Sequence, residues 1–190
     1  MVVIDDFIQD QKFLDAMAAS DEFSAGPSRW WDGWKVVAAE TLRQRLIQEI
    51  FGERCPSRIA KQLLPQAAGF EHWVGQFIGG SEANYQLRAH RDRDESHFVQ
   101  TNTDKFPLIG AVFYPIDHQI EGGYLTIFND DRDDGPFELI APRFNRLVIF
   151  DASILHCIGP MTTGRRTAIA INMWAEPIVA VASGKIPRNG

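Results

Sequence analysis

His156 and Arg166 stand ten residues apart in Ile154-Leu155-His156-Cys157-Ile158-Gly159-Pro160-Met161-Thr162-Thr163-Gly164-Arg165-Arg166, with an apolar run to Trp174 behind them. A histidine on one apolar run and an arginine opening the next, separated by a Gly-Pro and a Thr-Thr-Gly turn, can bring an imidazole and a guanidinium into one cavity. That pair suits a metal ion and an acidic co-substrate. Upstream, Tyr85-Gln86-Leu87-Arg88-Ala89-His90-Arg91-Asp92 supplies further ligands. Residues two apart share a face in a strand, whereas on a helix they diverge by about 200°. His90 and Asp92 can therefore share one ion only from an extended segment, which predicts a strand over 85–92. With His156 they give two imidazoles and one carboxylate, a set that leaves open positions on an octahedral ion, as in non-haem Fe(II) facial triads.

The His-x-Asp of His90 and Asp92, the distal His156 and the Arg166 beyond it resemble the Fe(II)/2-oxoglutarate-dependent dioxygenase superfamily, and within it the prolyl 4-hydroxylase-like branch. Gly122-Gly123-Tyr124-Leu125-Thr126-Ile127-Phe128 is similar to the family's Gly-Gly-x-Leu strand. Asn145-Arg146-Leu147-Val148-Ile149-Phe150 resembles the strand before the distal His, and Val2-Val3-Ile4-Asp5-Asp6-Phe7-Ile8 the opening strand of the branch. The resemblance covers most of the chain and is most specific from about Trp73 to Trp174. It implies Fe(II) on His90, Asp92 and His156, with Arg166 anchoring the C5 carboxylate of 2-oxoglutarate and ascorbate as an accessory reductant. It also implies consumption of O2, release of succinate and CO2, and hydroxylation of an unactivated C–H bond. The substrate would be a prolyl residue in a peptide, a free amino acid or another small molecule. Asp92 favours hydroxylation over halogenation, because halogenating relatives leave that metal position to halide. Tyr114 matches a family tyrosine that often shares the C5 carboxylate; otherwise it is a core tyrosine with a satisfied hydroxyl. Asn172 is expected either to hydrogen-bond the cofactor or to brace the barrel floor. The chain departs from the family at Gly80, where a tyrosine about ten positions before the first ligand is usual.

If Arg166 faces the barrel interior, alternation sends Ala168, Ala170 and Asn172 the same way and Ile169 and Ile171 outward. Two alanines leave room for a ligand, and Arg165 must face away. A guanidinium offers a carboxylate a planar fork and does not lose its proton near neutral pH. The remaining histidines read differently: His97 sits in a polar loop and makes only a poor rival triad, His118 is expected to be exposed, and His72 to cap or pack. Tyr85 is either a substrate or cofactor contact or part of the core. The acidic stretch 129–135 reads as a solvated hairpin tip, because it lacks the closing Glu of a calcium loop. Trp30, Trp31 and Trp34 either staple the N-terminal helices onto the sheet or form a platform at the barrel mouth. The polar stretch from Asp94 to Lys105 reads as a lid.

The 190 residues predict one domain, helical over 1–69 with a jelly-roll core over 70–176, able to bury about 70 % of its unfolded surface. Helices are expected over 10–19, 40–51 and 57–64, and strands over 72–78, 85–92, 108–115, 124–128, 137–140, 146–150, 156–158 and 166–174. Eight core strands suit a β-rich α+β fold, the double-stranded β-helix, with the helices outside one sheet. A net charge of −6 without a basic block argues against nucleic acid. No apolar run approaches membrane-spanning length and the N-terminus lacks a leader pattern, so a cytoplasmic location away from membranes is expected. Cys55 and Cys157 read as reduced thiols, and the oligomeric state stays open. Two other readings share the fold: a cupin-like metalloprotein, disfavoured by a first motif with one His, and a non-catalytic binding module.

Overall fold

The computed structural model describes residues 1–35, 38–80, 86–129, 135 and 137–187. Its strands are β1 (Val2–Ile4), β2 (Arg29–Trp31), β3 (Gly69–Ile78), β4 (Leu87–His90), β5 (Ile109–Phe113), β6 (Glu121–Gly122), β7 (Leu125–Phe128), β8 (Phe137–Ile140), β9 (Leu147–Phe150), β10 (His156–Ile158), β11 (Met161–Thr163) and β12 (Arg165–Trp174). The helices are α1 (Gln11–Ala19), α2 (Leu42–Phe51), α3 (Arg58–Leu63), α4 (Glu95–Thr101) and α5 (Val179–Ala182). A six-stranded sheet, β1-β9-β5-β12-β3-β2, packs against a four-stranded sheet, β4-β10-β7-β8, and β6 pairs with β11. The eight strands legible in the sequence divide four and four between the two large sheets, giving a double-stranded β-helix, while β1 and β2 extend the larger sheet at its edges.

Period-two alternation assigns each side of the larger sheet to a different core. Ile169, Ile171 and Met173 of β12, Leu147 and Ile149 of β9, and Ile109 and Phe113 of β5 pack against Phe13, Leu14 and Met17 of α1 and Leu46, Ile47 and Ile50 of α2. Their neighbours Ala168, Val148, Phe150 and Val112 turn the other way and meet Leu125, Ile127 and Ile140 of the smaller sheet. Burying each large aliphatic or aromatic side chain contributes about 1.5–3 kcal/mol, so this layering fixes which face of β12 can line a cavity. The helices start where short polar side chains can accept an orphan N–H: Asp10 caps α1, Thr41 caps α2 and Ser57 caps α3. At the end of α2, a Cβ on Gly52 would fall 2.3 Å from the Gln48 carbonyl oxygen. Glycine is needed there for close approach, since its φ of −77° is not left-handed.

Several expectations need correction. β4 ends at His90, so Asp92 lies just beyond the strand, where its N–H bonds the Ala152 carbonyl (3.0 Å) instead of a ladder partner. The supposed lid contains α4 and is tied down. Asp94, 3 % exposed, accepts hydrogen bonds from the His97 N–H (3.0 Å) and the Val179 N–H (2.7 Å), and Lys105 pairs with Glu176 at 3.0 Å. Of the two readings of the tryptophans, packing holds, although Trp30 joins the C-terminal segment and not the N-terminal helices. Trp31 enters the main core, Trp30 packs with Trp174, Ile178 and Val181, and Trp34 meets Phe70 edge-on at 5.8 Å. Tyr85 and most of the acidic tip lie outside the described residues. Among the described residues, no helix is long and apolar enough to cross a membrane.

Asp94 holds the first turns of α4 and α5 together two residues after Asp92. Asp94→Ala leaves two helix-end N–H groups without their acceptor and should destabilise the fold by about 2–3 kcal/mol, lowering the melting temperature by roughly 4–10 °C. Calorimetry checks this; an unchanged melting temperature would mean the double cap is dispensable.

Candidate metal centre

The antiparallel register of β10 on β4 sets His156 directly opposite His90, so both imidazoles leave one face of the smaller sheet. Their ring centroids are 4.4 Å apart. Each ring is fixed by its own chain: His90 Nδ1 lies 2.9 Å from the Arg88 carbonyl oxygen and His156 Nδ1 lies 2.8 Å from that of Ile154. A carbonyl can only accept, so Nδ1 carries a proton in both rings, and in a neutral ring the inward Nε2 is the atom with the lone pair. The two Nε2 atoms face Asp92 Oδ1, at 3.4 Å from His90 and 3.7 Å from His156. The other carboxylate oxygen, Oδ2, accepts from Asn172 Nδ2 at 3.1 Å, which holds Oδ1 inward. Within the group the donor atoms lie inside 4.8 Å of one another. Adjacent ligands of an octahedral ion with bonds of about 2.1 Å are roughly 3 Å apart, so the group fits an ion after modest inward movement. It is the one such cluster of His, Cys, Asp or Glu among the described residues. His97 stands apart on α4, with its Nε2 on Thr103 Oγ1.

For Asp92 and His156 the electrostatics favour the liganding protonation state. Burial pushes the Asp92 carboxyl up, but the hydrogen bond from His90, the His156 ring and the Asn172 amide outweigh it and hold the group below the usual carboxylate range. Burial pulls His156 below the ordinary histidine value, against the attraction of Asp92. For His90 burial acts downward too, yet the bonds to Asp92 and to the Arg88 carbonyl prevail and raise it. An ionised carboxylate beside a neutral His156 is what a divalent ion requires, and His90 would shed any proton on binding.

Across β12 and β3 the register pairs Arg166 with Phe77, Ala168 with Gly75, Ala170 with Trp73 and Asn172 with Glu71. Opposed residues share a face. Arg166, Ala168, Ala170 and Asn172 accordingly line one pocket together with Phe77, Gly75, Trp73 and the three donors. Val112, Leu125, Phe150 and Ile158 complete its apolar walls. Arg166 is 2 % exposed; its Nε donates to the Gly123 carbonyl and its Nη2 to the Tyr114 hydroxyl, both at 3.1 Å. Among the described residues no carboxylate lies within ion-pair distance of it. A buried charge without a counterion is costly, and none of the described residues provides an anion for this guanidinium. Gly122 and Gly123 turn the carbonyl toward it with φ of 87° and 67°, and a Cβ at Gly122 would fall 2.2 Å from the Pro160 carbonyl oxygen. Arg165 is exposed.

Two residues of this neighbourhood were not anticipated. His118, expected to be exposed, sets its Nε2 against the backbone of Thr167, 2.8 Å from the nitrogen and 2.9 Å from the oxygen, and meets the Tyr114 ring edge-on at 5.9 Å. It occupies the backbone edge of β12 that β5 leaves open after Phe113. Glu71 pairs across from Asn172 with its carboxyl largely buried; burial pushes that group up to about 7, against the hydrogen bond from Ser28.

No curated protein matches the sequence significantly. The sequence model described as the 2OG-Fe(II) oxygenase superfamily matches residues 76–175, more than half of the chain. In structure the chain is similar to a Pseudomonas putida prolyl-4-hydroxylase, with 16 % identity, 93 % of this chain and 88 % of that one covered, and a TM-score of 0.58. It is also similar to a Trichoplax adhaerens prolyl hydroxylase in complex with a hypoxia inducible factor peptide fragment, with 17 % identity, coverage of 95 % and 86 %, and a TM-score of 0.52. A third likeness is to a viral collagen prolyl hydroxylase from Paramecium Bursaria Chlorella virus-1, with 13 % identity, coverage of 93 % and 90 %, and a TM-score of 0.53. At such identities the likeness is one of fold. The matched span contains His90, Asp92, His156 and Arg166, and the chain belongs to the 2OG-Fe(II) oxygenase superfamily as an Fe(II)- and 2-oxoglutarate-dependent oxygenase.

Proposed function

We propose that this chain hydroxylates an unactivated C–H bond of a peptide or small-molecule substrate, with His90, Asp92 and His156 as iron ligands and Arg166 as the anchor of 2-oxoglutarate. The observation that carries the reading is one apolar pocket with three convergent donor atoms at one end and, at the other, a buried guanidinium with no counterion among the described residues. Bound iron and 2-oxoglutarate supply the activation of O2 and the oxidising power, with succinate and CO2 as products.

The protein's part is to bind, orient and exclude water. The Nδ1 bonds of His90 and His156 keep both lone pairs inward, and Asn172 does the same for Asp92 Oδ1. Arg166 meets the distal carboxylate of the co-substrate with charge-assisted hydrogen bonds. The Tyr114 hydroxyl accepts from Arg166, which leaves its own proton to donate to the same carboxylate. Ala168 and Ala170 keep the floor low between the two ends, and Val112, Leu125 and Phe150 shield the centre from bulk water. A complete ligand set disfavours a binding module that has lost catalysis. Prolyl specificity does not follow from a likeness of fold, because residues around the mouth choose the substrate. The reading takes the chain as one domain working in the cytoplasm, where its two buried cysteines remain thiols.

Asp92→Ala should abolish 2-oxoglutarate-dependent succinate formation; full turnover in that variant would refute the ligand assignment. Arg166→Ala removes charge-assisted bonds worth about 1.5 kcal/mol each, and should raise the KM for 2-oxoglutarate about 100-fold with a smaller effect on kcat. Arg166→Lys should not restore it, since an ammonium cannot reproduce the fork. An unchanged KM in both variants would mean that the co-substrate is anchored elsewhere.

A further inference from the structure

Beside the cofactor pocket lies a second cleft, bounded by Ser28, Glu71, Trp73, Asp92, Arg93 and Asn172. Trp73, Asp92 and Asn172 wall both cavities, so an occupant of the cleft lies against the edge of the metal centre. Glu71 projects from the same sheet face as Asn172, its partner in register. The Ser28 hydroxyl donates to Glu71 Oε1 at 2.8 Å. The Trp174 indole N–H is buried, closes no hydrogen bond among the described residues, and lies near enough to the Glu71 carboxyl to favour its ionised form.

What this carboxyl lacks is a cation. Among the described residues none pairs with it. Arg93, the one basic side chain among the described residues of the cleft, is already committed to Glu95 and Asp104, both at 2.9 Å, and lies 3.5 Å from the centre of the Phe98 ring. Burying a carboxyl costs stability unless a partner compensates it, and the fold retains this one beside the metal centre. An aromatic wall next to a carboxylate is a favourable environment for an ammonium group.

We propose that Glu71 is the substrate anchor: its carboxylate binds a protonated amine of the substrate against the Trp73 indole, so that the C–H bond oxidised near Asp92 belongs to an amine-bearing molecule. This rests on the oxygenase reading and extends it to the class of substrate. The amine is either the α-ammonium of a free amino acid or a basic side chain in a peptide.

The test titrates the Fe(II)- and 2-oxoglutarate-loaded protein calorimetrically without oxygen, using free L-amino acids, their N-acetyl forms, and end-blocked lysyl, arginyl and prolyl peptides. Succinate release in air is then measured with the same panel. At least one amine should bind and stimulate succinate release, its acetylated form should bind about tenfold or more weakly, and Glu71→Gln should weaken the amine by a similar factor. Glu71→Asp, which keeps the charge, should recover part of the affinity, while melting temperatures confirm that both variants fold. A free amino acid as best ligand identifies the α-ammonium; an end-blocked lysyl or arginyl peptide identifies a side chain. Equal binding of acetylated forms, a prolyl peptide bound as well as any amine, no amine bound at all, or no loss in Glu71→Gln overturns the proposal. Failure to take up Fe(II) and 2-oxoglutarate would instead sink the oxygenase reading and this inference with it.

Discussion

The ten-residue antiparallel pairing of β12 with β3 is the constraint on which the site depends. A strand has two faces, and a slip of one residue exchanges them. In the observed register Ile169, Ile171 and Met173 enter the core beneath the helices, which sends Arg166, Ala168, Ala170 and Asn172 into the pocket. The slipped register would bury a guanidinium among aliphatic side chains and fill the pocket with isoleucines. Hydrophobic burial on one side of the sheet thereby fixes the chemistry on the other.

From that register the metal centre is assembled by contacts of decreasing sequence locality. The His90 and His156 rings are oriented by carbonyls two residues before them. Their approach depends on β4 pairing with β10, and the facing of Asp92 depends on Asn172, 80 residues later. Gly110 makes that last contact possible: a Cβ there would lie 2.7 Å from that of Ala152 and 3.1 Å from Asn172 Oδ1. The pocket therefore ends in a carboxylate–imidazole cluster at one side and a lone guanidinium at the other, separated by small residues.

How much of this was legible in the sequence follows from the range of each interaction. Alternation is local, so the inward set on β12 and the outward isoleucines could be read directly. The order of His90, Asp92, His156 and Arg166 carried the family resemblance, and the strand count carried the fold. The sequence pattern runs on to Asp92 whereas β4 ends at His90, because Asp92 exchanges its ladder partner for Ala152. α4 and α5 left no periodic signal, since their shared anchor is one buried carboxylate that reaches from Asp94 to Val179. His118 reads as a surface residue in the sequence because its partner, the Thr167 backbone, is 49 residues away. Glu71 falls outside the strand expected over 72–78, and only the observed register sets it opposite Asn172.

The central claim is that one cavity holds Fe(II) at the triad and 2-oxoglutarate between the triad and Arg166. It is tested most directly by titrating the purified protein with both under anaerobic conditions and following the weak visible charge-transfer band of an iron–2-oxoglutarate chelate. The account predicts a band that needs both components and is lost in His156→Ala. Tight binding of 2-oxoglutarate with no band, or a band that survives loss of His156, would contradict it.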